Sequence, residues 1–251
     1  MASIYLINIG ANTTHQAKAR SPIFDDGSWV YVSFPTAADQ PAQKYSAQAR
    51  PYLRNTSIER THADPCWNAM TYGDNCANPR AGVLRTVQPG DTLLFWGLLW
   101  RHRGQDWAGF TGERGWYLFG AMRVEAMVRA DQPLDSLSDA NRLRACSNAH
   151  MKEGGGRLPA DHVVFLGDGA GSARFTPAVD LEVRNPSGLL YRAFTDATGA
   201  LLAPDRGPSW KSSLRSCRKL WDLEDAAARS RAQIVAAAVK KQTGFDLLHG
   251  L

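Results

Sequence analysis

A chain of 251 residues with 44% hydrophobic content has apolar material enough for a proper core and length enough for one large or two small domains, which excludes a disordered chain. No apolar run of about eighteen residues is present, and Met-Ala-Ser leads straight into a strand-like segment. Neither a membrane span nor a signal peptide is therefore expected, and a cytoplasmic location follows. The net charge of +5 rests on twenty-two Arg against seven Lys. The guanidinium fork suits phosphates and polynucleotides, whereas a genome rich in Arg codons predicts the same ratio without a patch.

Ser3 to Ile9 alternates apolar and polar residues and reads as the first strand, ending at Gly10. A long polar loop follows to the Asp26-Gly27 turn, and Trp29 to Phe34 resumes strand character. Loops of that length inside a domain are more often functional than idle. Thr36 to Asn55 reads as an exposed connection with short helices at most, and Arg80 to Val87 as a short helix. Gln88-Pro-Gly-Asp91 is a tight turn into Thr92 to Trp100, an almost wholly apolar run of central-strand length. Trp116 to Val128 is its partner strand, with Gly120 marking a bulge or a close backbone approach.

Leu134 to Cys146 reads as a helix capped by Ser136 or Ser138, with Leu137, Leu143 and Ala145 as its apolar positions; it leads through Ser147-Asn-Ala-His150 into a loop. His162 to Leu166 is a further short strand, followed by the glycine-rich turn GDGAGSARF. The C-terminal part, 217–243, reads as one long helix with an apolar stripe at Leu220, Leu223, Ala227, Ile234 and Ala238. Ser216 would cap it, Asp225 and Arg229 would pair, and Gly244 would stop it. The four cysteines, Cys66, Cys76, Cys146 and Cys217, are scattered and read as reduced thiols, with neither a structural zinc site nor a disulfide framework. The fold expected is α+β in a single domain over 1–251: a mixed or antiparallel barrel-like sheet, flanking helices and the C-terminal helix. Pro89-Gly-Asp91 with its apolar strand, and Gly115 to Glu125, resemble the turn and paired strands of base-binding PUA-like barrels.

The densest chemistry lies in THADPCWNAMTYGD, Thr61 to Asp74. On extended backbone His62 and Asp64 point to one side, so a carboxylate could orient an imidazole for acid/base work; the bland reading is a capped turn beside Pro65. Asp74, His15 or His150 could add metal ligands, but no metal spacing is recognisable, and neither a metal nor a cofactor is assigned. Ser172 and Arg174 in the glycine-rich turn, and Ser212 to Ser216 with Arg215, carry the hydroxyl and guanidinium donors that a phosphate needs. Trp96, Trp100, Trp107, Trp116 and Tyr117 could stack bases or fill the core.

In order along the chain, NIGANTTHQAKARSPIFDDG, THADP, TYGD, PGDTLLFWG, YLFGAMRVE, SNAH, GSARF and SLRS resemble the bacterial and phage family called nucleotide modification associated domain, type three. The family's name reflects its occurrence beside enzymes that make or act on modified DNA bases. The resemblance implies a nucleotide or DNA with modified bases as partner, no membrane, and other DNA-modification enzymes nearby. It departs from the family pattern at Ala63 and at Cys66-Trp67, so no carboxylate is available at position 66.

The polar density of the loops favours an enzyme acting on a nucleotide or base over a non-catalytic PUA-like reader that would stack modified bases on Trp96 or Trp116. In the enzyme reading the catalytic group is His62, Asp64 and Asp74, with His62 as acid/base, Asp64 orienting it and Asp74 on the substrate. The remaining pattern positions are read as substrate-binding: Asn12, His15, Arg20, Ser21, Asp26, Thr71, Tyr72, Asn148, His150, Ser172, Arg174, Ser213 and Arg215, with Arg174 and Arg215 on phosphate.

Overall fold

The apolar run at Thr92 forms the middle of an eight-stranded sheet in the computed structural model, which describes residues 2–11, 15–36, 43–180 and 217–250. The strands in chain order are β1 (Ser3–Asn8), β2 (Ser21–Ile23), β3 (Gln43–Lys44), β4 (Arg60–Thr61), β5 (Thr71–Asn75), β6 (Thr92–His102) and β7 (Phe110–Arg129). After β7 come helices α1 (Asp139–Cys146) and α2 (Ala149–Glu153), strands β8 (His162–Gly167), β9 (Ala173–Asp180) and β10 (Arg218–Asp222), and helix α3 (Ala226–Thr243). The main path runs β10-β1-β6-β7-β8-β5, with β2 added to β6 and β9 to β7; β3 and β4 form a separate pair. Among the described strands only β1–β6 and β2–β6 are parallel pairs.

The 20-residue β7 changes partners along its length: residues up to Arg123 pair with β6, and Val124 onward pairs with β8. Register shifts at Phe95/Trp96 and Val124/Ala126 curl the sheet into a half-barrel. The architecture is mixed α+β.

Alternation along the strands fills two cores, one on each face. Ile4, Leu6, Leu94, Trp96 and Leu118 face α3, which contributes Ala232, Val235, Ala236 and Val239. Tyr5, Ile7, Phe95, Phe119, Tyr72 and Phe165 fill the other face. Both faces of β1 and β6 are covered, which is why their sequences read as almost continuous apolar runs. Among the described residues no helix is long and apolar enough to cross a membrane.

Several local expectations are corrected. Trp29 to Phe34 is extended but forms no ladder: Trp29 bridges Ile23, and the Val32 N–H donates to the Ser21 hydroxyl (3.1 Å) instead of a backbone carbonyl. The connection around residues 43–55 is exposed only in part: Ser46 to Gln48, Arg54 and Asn55 face solvent, while Tyr45, Ala49, Tyr52 and Leu53 build a third core with Ala19 and Val32. Leu143 is 70% exposed, and α1 starts only at Asp139, capped by Ser138. The segment after His150 is not a loop from its start, because α2 occupies Ala149–Glu153.

The C-terminal helix is shorter than 217–243. Arg218–Asp222 instead pairs antiparallel with β1, covering an edge that would otherwise lie open. The helix begins at Ala226, and Asp225 is its cap, accepting from the Ala228 N–H at 2.8 Å. Arg229 turns back to the Leu223 carbonyl, and Ile234 is 60% exposed, so the buried stripe is Ala232, Val235, Ala236 and Val239. Gly244 does end the helix, in the left-handed region at φ 75°. Ser216 lies outside the described residues.

Gly120 flanks the β7 bulge at Phe119, where an added Cβ would meet the Ala173 carbonyl oxygen at 2.4 Å and the Trp67 ring at 2.7 Å. Gly120→Ala should therefore destabilise the fold by about 1–3 kcal/mol through overpacking, read as a lowered midpoint in urea unfolding with an unchanged slope.

Candidate functional site

Asp64 is the hub of the cluster, and its side chain is 2% exposed. A buried carboxylate needs donors, and two segments supply them. The Gly73 N–H of β5 donates to Oδ2 at 2.7 Å, and Asn148 Nδ2, just before α2, donates to Oδ1 at 3.0 Å. The same amide reaches Thr71 Oγ1 at 3.3 Å, while its oxygen caps α2 by accepting the His150 N–H at 3.0 Å. The Tyr31 hydroxyl donates to the Asp64 backbone carbonyl.

Two imidazoles face the same carboxylate oxygen: His62 Nε2 lies 4.0 Å and His150 Nε2 3.5 Å from Asp64 Oδ2. The other His62 nitrogen, Nδ1, donates to Glu153 Oε1 at 2.7 Å. The orienting carboxylate of His62 is thus Glu153, not Asp64, which sits on the opposite side of the ring. One ligand atom from each of His62, Asp64 and His150 lies within 4.8 Å of the others. Gly73 makes room, since a Cβ there would stand 2.5 Å from His150 Cδ2 and 2.9 Å from Asn148 Oδ1.

Burial controls the charges. It pushes the Asp64 carboxyl up to about 8, against the opposing pull of His62 and the Gly73 N–H. It pushes His150 down to about 3, helped by the like charges of His62 and His162, so this imidazole stays neutral. In His62 burial lowers the pKa too, but the Glu153 hydrogen bond and the charges of Asp64, Glu153 and Asp74 outweigh it, and the net direction is up. The Asp64 carboxyl is thus held above, and the His150 imidazole below, its ordinary range.

The family model for nucleotide modification associated domain 3 matches residues 3–229. The chain belongs to this family. Its role is therefore associated with nucleotide modification. No curated protein and no solved structure matches the chain.

The family's motifs meet at this cluster only in part. Thr71 and Gly73 share the site face of β5, while Tyr72 and Asp74 point to the other face. There the Tyr72 hydroxyl donates to Asp74 Oδ2 at 2.6 Å, and the Cys217 thiol lies 3.7 Å from that oxygen. Asp74 is thus separated from the cluster by its strand, though its charge still favours the His62 cation. His15 belongs by stacking: Phe34 lies between it (5.5 Å) and His62 (5.2 Å), while His150 meets His62 edge-on (4.5 Å) and His162 lies tilted against His150 (4.9 Å).

The other pattern residues of the domain have structural partners elsewhere. Arg20 lies over the Trp100 and Trp107 rings at 4.5 and 4.6 Å and donates to the Gln16 carbonyl. Ser21 pairs with Val32, and Asp26 closes a turn on the Ser28 N–H. The GDGAGSARF turn already cradles an anion, its own Asp168, which accepts from the Gly171 N–H and from Arg123. Ser172 Oγ accepts the Arg123 N–H at 3.1 Å, and Arg174 lies 4.2 Å over Trp29 while donating to its carbonyl. Trp96 and Trp100 are buried and offer no face to a base; Trp116 packs against Trp96 at 4.6 Å. Asn12, Ser213 and Arg215 lie outside the described residues.

Sequence reasoning does not single out Glu153, Tyr31, Gly73 or Arg144. Arg144 of α1 braces the site loop through the Ala69 and Gly167 carbonyls. Glu153 has a signal, since His150 and Glu153 are three apart and share a helix face, but that spacing means nothing in a segment read as loop.

Gly73→Ala should keep the fold while displacing His150 and Asn148, at a stability cost of about 1–3 kcal/mol. In NMR spectra the imidazole signals of His62 and His150 should move, and those of the distant His102 and His249 should not.

Proposed function

We propose that the protein is an enzyme of DNA modification that acts on a nucleotide or a DNA base, and that its reaction centre is the cluster of His62, Asp64 and His150 with Glu153 behind His62. The observation that carries this reading is the convergence of two imidazoles on one buried carboxylate oxygen in a chain of the nucleotide modification associated domain 3 family. A mere structural carboxylate would be satisfied by the Gly73 and Asn148 donors already present. The paired imidazoles exceed that need and supply proton-transfer groups or ligands of the kind that active sites require.

His62, fixed by Glu153 through Nδ1, presents Nε2 to the reacting group, and His150 and Asp64 flank that position. Asn148 and Thr71 hold Asp64 in register and are positioning residues. Asp74 and Tyr72 support β5 from its far face, and Arg174 and Ser172 brace the sheet.

Product analysis by mass spectrometry, after incubation with a panel of modified and unmodified DNAs and nucleotides, should reveal a mass change for one substrate class. Turnover should fall at least about 100-fold in folded His62→Ala and Asp64→Asn variants. Binding of modified DNA without turnover would identify a reader and overturn the enzyme reading, as would undiminished turnover in both variants.

A further inference from the structure

We infer that His62 Nε2, Asp64 Oδ2 and His150 Nε2 form a binding site for one divalent first-row transition ion. The inference deepens the reading of the same cluster and rests on that cluster being the working site.

Three observations carry it beyond an acid/base pair. The first is spacing. Ligands at about 2.1 Å from a tetrahedral ion stand roughly 3.4 Å apart. The Asp64 oxygen lies 3.5 Å from one imidazole nitrogen and 4.0 Å from the other, so small side-chain rotations close the set around an ion.

The second is the outer ring of partners. A metal-binding histidine usually donates its other N–H to a carboxylate or a backbone carbonyl, which fixes the tautomer and aims the lone pair at the ion. His62 does so to Glu153 at 2.7 Å. Asp64 is held in the same manner by Asn148 on Oδ1, away from the ligand oxygen Oδ2. Two of the three ligands therefore have a support beyond the ligand atom.

The third is charge. Among the described residues Asp64 forms ion pairs with imidazoles alone, and neither lysine nor arginine stands beside this buried carboxylate. A divalent cation would balance Asp64 and Glu153 together. Two nitrogens and one oxygen suit zinc, manganese, cobalt or iron(II), and are too few oxygens for calcium or magnesium. Three protein ligands leave coordination positions for water or a substrate oxygen, the pattern of a catalytic rather than a structural site.

The full chain, stripped with a chelator, should be titrated with Co²⁺ and followed by its visible absorption. One equivalent should bind with a ligand-field spectrum free of thiolate charge-transfer bands, be displaced by Zn²⁺, and resist excess Mg²⁺. Folded His62→Ala, Asp64→Asn and His150→Ala should each weaken binding more than about 100-fold, and Glu153→Gln by about 10- to 100-fold. His162→Ala, beside His150 but outside the set, should leave affinity unchanged.

The inference is overturned if the wild-type chain shows no saturable one-equivalent binding, if thiolate bands place the ion on a cysteine, or if folded His62→Ala and His150→Ala bind as well as wild type. The wild-type measurement decides even where a ligand variant misfolds. Metal binding without turnover would leave this site standing and remove the enzyme reading. Turnover that needs His62 in a chain that binds no ion would do the reverse.

Discussion

A carboxylate taken out of water must find donors or lose its charge, and the arrangement around Asp64 follows from that constraint. Its partners come from β5, from the residue that caps α2 and, at the backbone, from the segment ahead of β4. Each is fixed twice. Gly73 is also a rung of the β5–β8 ladder, and Asn148 also starts α2. Anything that disturbs Asp64 therefore disturbs the junction of three elements, and the two histidines ride on that junction, one beside Asp64 in sequence and one in the first turn of α2.

The sheet explains why this junction can exist. β5 is a terminal strand of the main path and is hydrogen-bonded into the sheet through β8, which in turn pairs with the second half of β7. A β7 that ended with β6 would leave β8 and β5 unanchored. The same curl separates the two functions of β5, with Tyr72 sealing the apolar core against Phe95 and Phe165 while Thr71 and Gly73 face the polar cluster. Period-two alternation thus assigns neighbouring residues of one motif to stability and to chemistry.

What could be read from the sequence follows from how local each signal is. The apolar run at Thr92, the strand at Ser3 and the turn at Gly244 are local patterns, and all appear in the structure. Gly120 is legible because a glycine inside a strong strand pattern marks a point where no side chain fits. The strand Arg218–Asp222 is not, since its charges and its neighbour, an alanine-rich helix, suit a helix, and only the open edge of β1 makes it a strand. At the site, His62, Asp64, Asn148 and His150 all stand in recognisable motifs. Their partnership spans 84 residues between Asp64 and Asn148, a closure that no local pattern encodes. The partners of Ser172 and Arg174 are likewise distant in sequence: composition shows a hydroxyl and a guanidinium but not that Arg123 and Trp29 face them.

The two carboxylates around His62 differ in a way that gives the site a direction. Asp64 is almost wholly buried, whereas the Glu153 side chain is 25% exposed. His62 is thus anchored from the solvent side by Glu153 and meets Asp64 and His150 on its inner side. With side chains 11% and 13% exposed, the two imidazoles keep only a narrow contact with water. Phe34 stacked on His62 at 5.2 Å and His150 edge-on to it at 4.5 Å enclose the ring, so the direction of Nε2 is set by packing as well as by Glu153.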